Sequence, residues 1–254
     1  MPRIDRADFV VRRPGQTYQT IRVQRVGPHL SPKDVDNFAF QMPEVGYQAW
    51  RNASWLGELA AAHGMTPHDL AERVFPPSDR HKRRVIRRAA DHPNSDRRNF
   101  WFATVAPEHQ PHSGPREASA VLEVNRDVSG GPFGRLMRRL FFPERVYACL
   151  QNGNTLPELQ SHDLMTALGY VASFDHPNGR PVTLYTPGSN EPAKAFAENY
   201  GFEHTGSVVD PNLFGPDVPV IMARYQAPTV QDMRDRMVAS HPWLASGEFR
   251  TPRS

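Results

Sequence analysis

The sequence predicts an α+β fold, in which a mixed β-sheet is flanked by helices and preceded by a mainly helical N-terminal portion. Helix-start and helix-stop signals dominate residues 31–91, and aromatic or β-branched runs alternate with helical patterns from residue 99 onward. No internal repeat or low-complexity tract is present, which argues against a solenoid. A chain of 254 residues is long enough to bury a substantial core without disulfides.

The N-terminal portion, residues 1–95, begins as an arm and continues as one strand followed by helices. Ser31 and Thr66 each precede a proline, which is the pattern of an N-cap followed by the first helical turn. Gly64 is a helix-stop signal. The predicted elements are a strand at 20–26 and helices beginning near Ser31, Tyr47, Thr66 and Ser78.

The central portion, residues 96–226, alternates strands with helices. The run at 181–186 is almost continuously apolar, which is typical of a strand buried on both faces. Residues 227–254 form a C-terminal helix and tail, with a box-like start at Thr229 and Asp232. The predicted central elements are strands at 99–107, 118–125, 145–151 and 181–186, helices at 161–174 and 190–201, and a closing pair of strands at 202–209 and 218–226.

Composition narrows the class of protein. The single cysteine, Cys149, cannot pair within the chain, which favours a reducing compartment, and we expect a cytoplasmic protein. No segment approaches the roughly 18 uninterrupted apolar residues of a membrane span. The 11 histidines show no paired metal-binding spacing, so we predict no metal site.

The segment NEPAKAFAENYGF, residues 190–202, is similar to the final motif of the GNAT acyltransferase superfamily. Asn190 opens the helix, Ala193 follows three positions later, and Gly201 and Phe202 stand eleven and twelve positions after Asn190. The resemblance spans residues 99–226 and is sharp only at 181–207. It implies a GNAT-like sheet and transfer of an acyl group, usually acetyl, from coenzyme A to an amine. The alternative is an ordinary βα unit whose Gly-Phe ends a helix and anchors the core.

The resemblance also implies where acetyl-CoA, or another acyl-CoA, would lie. Segments near positions 150 and 184 would diverge, so that a pantetheine arm could add its amides like an extra strand beside Leu150. The phosphates would face the N–H groups of Ser161 and His162, and Asn190 would contact the cofactor.

The expected phosphate loop departs from the family pattern. The family usually has a glycine-rich loop here, whereas LPELQSHDLM, residues 156–165, contains no glycine. It places Glu158 and Asp163 near the expected phosphate position. Ser161 and Asp163 fit structural capping of the following helix equally well.

Two residues are candidates for proton transfer. Glu123 is the only charged residue in ASAVLEV and is the first candidate for a general base, followed by His204. An exposed strand position is the alternative interpretation of both. Many family members carry a tyrosine where this chain has Ala197, so Tyr200 is the candidate acid, with packing in the core as its alternative role. Positioning the amine against the thioester can itself supply much of the rate enhancement.

Arginine clusters suggest a second class of function. Residues Arg80–Arg98 are densely basic, and residues 135–140 form a smaller cluster. A solvated helix face is the plainer interpretation, whereas RNA, DNA or an acidic protein would be the partner of a catalytically inactive GNAT-like binding module. An acyltransferase acting on a tRNA-linked or ribosomal amine would use both features. The least specific alternative is an α+β domain of unrelated role.

Overall fold

The computed structural model describes residues 4–12, 18–76, 80–91, 98–107, 118–125, 148–160, 163–176 and 178–251. Within these ranges the chain forms a nine-stranded mixed sheet in the order β7-β8-β6-β5-β4-β3-β2-β1-β9, with helices on both faces. The predicted α+β class, with a mixed sheet flanked by helices, is confirmed. No helix in the described ranges combines the length and apolarity needed to cross a membrane.

The strands of this sheet are β1 (Arg6–Val11), β2 (Gln19–Arg25), β3 (Arg98–Pro107), β4 (Ala120–Asn125), β5 (Ala148–Thr155), β6 (Val182–Pro187), β7 (Glu203–Asp210), β8 (Val220–Ala227) and β9 (Glu248–Arg250). The helices are α1 (Pro32–Arg51), α2 (Ser54–Ala62), α3 (Pro67–Val74), α4 (Arg80–Asp91), α5 (Leu164–Ser173), α6 (Glu191–Asn199) and α7 (Val230–Ser240). Two short 3-10 helices cover Pro157–Leu159 and Pro242–Ser246.

Local capping chemistry starts the N-terminal helices as predicted. The Ser31 hydroxyl accepts a hydrogen bond from the Asp34 N–H at 3.1 Å. Thr66 and Asp69 form a reciprocal capping box, with bonds of 3.2 and 3.0 Å. Each pair satisfies N–H groups that have no partner within the helix. The predicted helix start at Ser78 lies outside the described residues.

The structure differs from the sequence prediction in two places within the N-terminal portion. The expected arm contains β1, which lies between β2 and β9 in the sheet. Its side chains alternate, with Ala7, Phe9 and Val11 buried on one face. The sequence predicted a helix beginning at Tyr47, but Tyr47 lies in the last turns of α1. This helix ends at Arg51, with Asn52 as its C-cap, and α2 begins at Ser54.

Separate hydrophobic clusters cover the two faces of the sheet. On the face that we call the α5 face, α5 and α7 pack on Leu122, Leu150 and Leu184. On the opposite face, the α1 face, α1 and α4 pack on Phe100 and Val121. A third cluster joins α1, α2 and α3 to the connection between β7 and β8. The N-terminal helices therefore pack on the same sheet as the central portion.

Close packing of α1 against Phe75 leads to a stability prediction. A Cβ atom at Gly46 would lie 2.5–2.8 Å from carbons of the Phe75 ring, which is 1% exposed. Replacement Gly46→Ala should therefore lower the free energy of unfolding by about 1–3 kcal/mol through overpacking. Urea denaturation measures this change.

Gly57→Ala is the matched control, because Gly57 is also helical but its nearest neighbour would be Pro67 at 4.0 Å. It should raise the free energy of unfolding by roughly 0.5–1 kcal/mol, since alanine is the better helix former. Stabilisation by both substitutions would contradict the close contact at Gly46.

Candidate functional site

A gap opens in the sheet between β5 and β6. These are the only parallel neighbours among the described strands, and they pair at Ala148 with Val182, Cys149 with Thr183 and Leu150 with Leu184. Beyond these pairs, β5 remains paired with β4, and β6 remains paired with β8. We call the space between residues 151–155 and 185–187 the gap. It begins at the positions where the sequence predicted divergence.

An irregularity in β5 accompanies the gap. Glu123 of β4 pairs with Gln151, whereas Val121 pairs with Asn154, so two steps along β4 match three along β5. The extra residue in β5 is a β-bulge, which bends a strand and increases its twist. Gly153 lies in this bulge, where a Cβ atom would be 3.0 Å from the Met165 sulfur of α5. The bulge therefore bends β5 directly beyond its last pair with β6.

The two faces of the sheet differ in polarity at the gap. Leu122, Leu150 and Leu184 belong to the cluster on the α5 face. Because side chains alternate along a strand, their neighbours Glu123 and Tyr185 point to the α1 face. By the same alternation, Arg224 of β8 points to the α1 face between the buried Ala223 and Tyr225. Glu123, Tyr185 and Arg224 thus lie on the α1 face.

Glu123 of β4 pairs with Gln151, the first β5 residue that borders the gap, and is only 3% exposed. It is therefore not an exposed strand residue. His204 lies on the exposed edge strand β7, where its ring packs against Tyr225 at 5.3 Å between ring centres. Since β8 and β6 separate β7 from the gap, the structure does not bring His204 to Glu123.

Tyr200 lies at the C-terminal end of α6, packed in the cluster on the α5 face. Its hydroxyl is 2.8 Å from the Thr166 hydroxyl and 3.4 Å from His241 Nδ1. Burial raises the pKa of Tyr200, and the hydrogen bond with Thr166 lowers it by a smaller amount. The sheet separates Tyr200 from the Glu123 side chain, so the two predicted proton carriers do not face one another.

Asp163 is the N-cap of α5 and adopts the left-handed conformation, with φ of 53°. Its side chain makes no capping hydrogen bond to the helix. Asp163 Oδ1 lies instead 3.7 Å from His241 Nε2. The Asp163 carboxylate therefore does not occupy the first-turn N–H groups of α5. Ser161 and His162 lie outside the described residues.

Leu150 lies where the gap begins, and Asn190 follows the end of β6. Asn190 is the N-cap of α6, and its side-chain oxygen accepts a hydrogen bond from the Ala193 N–H at 3.3 Å. Asn190 therefore caps the N-terminus of α6, as the sequence allowed. Leu150 is 6% exposed and forms the last β5 pair with β6.

Sequence reasoning missed Trp50 and Asn154. The Trp50 indole N–H of α1 donates to Asn154 Oδ1 of β5 at 2.7 Å. Arg224 and Tyr185 were missed as well, although alternation with buried neighbours was a usable signal for both. Nowhere in the described ranges do three His, Cys, Asp or Glu residues cluster in a way that could hold a metal ion.

No protein-family model and no curated protein matches this chain. Its structure is similar to a candidate GNAT-family acetyltransferase from Desulfovibrio desulfuricans, with a TM-score of 0.49 and 12% identity, covering 83% of this chain and 99% of that chain. An uncharacterized protein from Bacillus halodurans has a TM-score of 0.49 and 10% identity, covering 96% and 98%. RimL, a ribosomal L7/L12 alpha-N-protein acetyltransferase in complex with coenzyme A, has a TM-score of 0.49 and 11% identity, covering 83% and 95%. Similarities at this level carry no argument about activity, cofactor or substrate.

The raised pKa of Tyr200 predicts a pH dependence of stability. The unfolded tyrosine ionises near its ordinary pKa of 10.0, whereas the folded protein still holds the proton there. Above that pH the unfolded state binds fewer protons, so the free energy of unfolding falls as pH rises. The stability that Tyr200 contributes is therefore fully present below the unfolded pKa. It is lost as pH rises from the unfolded pKa through the higher folded pKa.

Replacement Tyr200→Phe should therefore flatten the decline in stability measured by urea denaturation between about pH 9 and pH 11. At pH 7 the variant should differ only by a constant loss of about 1 kcal/mol, from the hydrogen bond with Thr166. Tyr170, whose pKa is also raised by burial, is present in both proteins and cancels. Equal slopes in the two proteins would contradict the prediction.

Proposed function

We propose that the protein transfers an acyl group, most simply acetyl, from a coenzyme A thioester to an amine. The observation that carries this proposal is the end of the β5–β6 ladder after Leu150 and Leu184. β5 continues to Thr155 and β6 to Pro187, so each strand extends beyond the ladder that joins them. Pantetheine amides can pair with a strand edge as an added strand does. Bound acyl-CoA would supply an activated acyl carbonyl.

The N-terminus of α5 supports a phosphate site next to the gap. The first N–H groups of a helix lack partners within the helix, and its dipole favours negative charge there. Asp163 makes no capping bond with them, so its side chain does not compete with a phosphate for these donors. Its negative charge opposes an anion, and His241 Nε2 lies 3.7 Å from Asp163 Oδ1. Ser161 and His162 remain the proposed donors of this segment.

Different roles are proposed for Glu123 and Tyr200. Glu123 would take the proton of the attacking amine, directly or through a water, because it lies on the polar face beside the gap. The Tyr200 hydroxyl is hydrogen-bonded to the Thr166 hydroxyl in the first turn of α5. Its proposed role is therefore to hold that turn near the phosphates. The single cysteine favours the cytoplasm as the place of action.

Acetyl-CoA should raise the melting temperature if the proposal is correct. Ligand at 100 times its Kd adds about 2.7 kcal/mol of stability by mass action. For a chain of this size that corresponds to roughly 5–10 °C. A thermal-shift titration measures it, with ADP as a control that carries the pyrophosphate but no pantetheine arm. No shift at millimolar acetyl-CoA would count decisively against acyl transfer.

A second candidate function, binding of single-stranded nucleic acid, is supported by the exposed face of α4. Arg80, Arg84 and Arg88 are exposed and spaced four residues apart, so they form a row along the helix. In the described part of the chain no acidic side chain pairs with these three arginines, whereas Arg87 pairs with Asp36 at 2.6 Å. Arginine forks match phosphate oxygens well.

An exposed aromatic ring lies beside this arginine row. Phe40 of α1 is 57% exposed, and the Arg83 guanidinium lies 4.7 Å from the centre of its ring. Aromatic rings beside basic side chains are the usual platform for unpaired bases. This arrangement favours a single strand over an acidic protein as the partner. The second cluster, residues 135–140, lies outside the described residues.

Replacing all three arginines of the row by glutamine should weaken binding of a single-stranded oligonucleotide. The slope of log affinity against log salt should become shallower by about 2, since each phosphate contact contributes roughly 0.7. Fluorescence anisotropy at several salt concentrations measures the slope. The control replaces Arg12, Arg236 and Arg250, which are exposed elsewhere, and changes the net charge equally. Equal effects of the two triple variants, or no binding by the wild type, would contradict the proposal.

A further inference from the structure

Trp50 is attached to the part of β5 that borders the gap. Its indole N–H donates to Asn154 Oδ1 at 2.7 Å, across 104 positions of sequence. Asn154 is 4% exposed and lies immediately after the bulge, where β5 has already separated from β6. The hydrogen bond therefore connects the end of α1 to the diverging half of β5.

The same indole ring also contacts the other side of the gap. It packs edge-on against Trp55 and Phe75, with ring centres 5.1 and 5.2 Å away. It also packs against Phe214, with ring centres 5.7 Å apart. Phe214 lies in the connection between β7 and β8, and β8 is the strand that pairs with β6. Trp50 thus contacts β5 on one side of the gap and, on the other side, the loop that leads into β8.

Arg73 of α3 binds the loop that contains Phe214. Its guanidinium donates to the Phe214 carbonyl at 2.8 Å and to Asp217 at 2.8 Å. The connection between β7 and β8 is consequently anchored to α3. The contacts therefore run from β5 through Trp50 to the loop that precedes β8.

The described β5–β6 pairs end at Leu150, and the bulge bends β5 beyond them. Side-chain contacts across the α1 face can then hold the two strands at a fixed separation. We propose that Trp50 is a positioning residue that fixes the separation of β5 and β6 through its bond to Asn154 and its contact with Phe214. This inference rests on the proposed function only where it concerns acyl-CoA affinity.

The test compares Trp50→Phe with Trp55→Phe. Both variants make the same chemical change within one aromatic cluster, but only Trp50 is bonded to β5. Hydrogen exchange reads the local stability of residues 151–155 without any ligand. In Trp50→Phe, exchange there should be about five- to tenfold faster, as expected for the loss of one buried hydrogen bond, and in Trp55→Phe it should change less than about twofold.

Coenzyme A affinity provides the second reading, by isothermal titration. The Kd should rise by about fivefold or more in Trp50→Phe and by less than about twofold in Trp55→Phe, because only the first loosens β5. Equal effects of the two variants, or an unchanged Kd in Trp50→Phe, would overturn the positioning role. If the wild type binds no coenzyme A, the proposed function fails. Hydrogen exchange alone then decides the inference, and unchanged exchange in Trp50→Phe overturns it.

Discussion

The early end of one hydrogen-bond ladder is the constraint on which the rest of this molecule depends. β5 and β6 pair at three described positions and both continue beyond them, so other contacts maintain their separation there. The bulge at Gly153 bends β5, and Met165 of α5 packs against Gly153 on the α5 face. On the α1 face, the Trp50 indole N–H donates a hydrogen bond to Asn154 of β5. Each of these features would be unnecessary in a sheet whose strands paired along their whole length.

The gap also separates two chemical environments. Leucines of β4, β5 and β6 face α5, whereas Glu123, Asn154 and Tyr185 face α1. An elongated ligand lying in the gap would therefore have an apolar wall on one side and hydrogen-bonding groups on the other. Such a division suits a reaction in which proton transfer takes place on one face only.

The sequence predicted those features whose causes are local. The caps at Ser31 and Thr66 depend on residues three positions away, and the central strands were recognisable from their own composition. The gap was predictable because the motif beginning at Asn190 resembles a family in which parallel strands diverge. What could not be predicted depends on distant partners. β1 pairs with β9 near the other end of the chain, and the bond between Trp50 and Asn154 requires knowledge of the β5 register. The αL conformation of Asp163 and the burial of Glu123 likewise arise from tertiary packing.

Pairing of β1 with β9 affects how the protein can fold during synthesis. Asp8 of β1 pairs with Glu248 of β9, so the outer edge of β1 stays uncovered until residues 248–250 have left the ribosome. At translation rates of about 5–20 residues per second, this interval lasts roughly 10–50 seconds. An uncovered strand edge can recruit a neighbouring nascent chain. Arg6 and Asp8 of β1 and Arg22 of β2 place charged side chains on these neighbouring strands. Charges near an open strand edge disfavour such association until β9 has paired with β1.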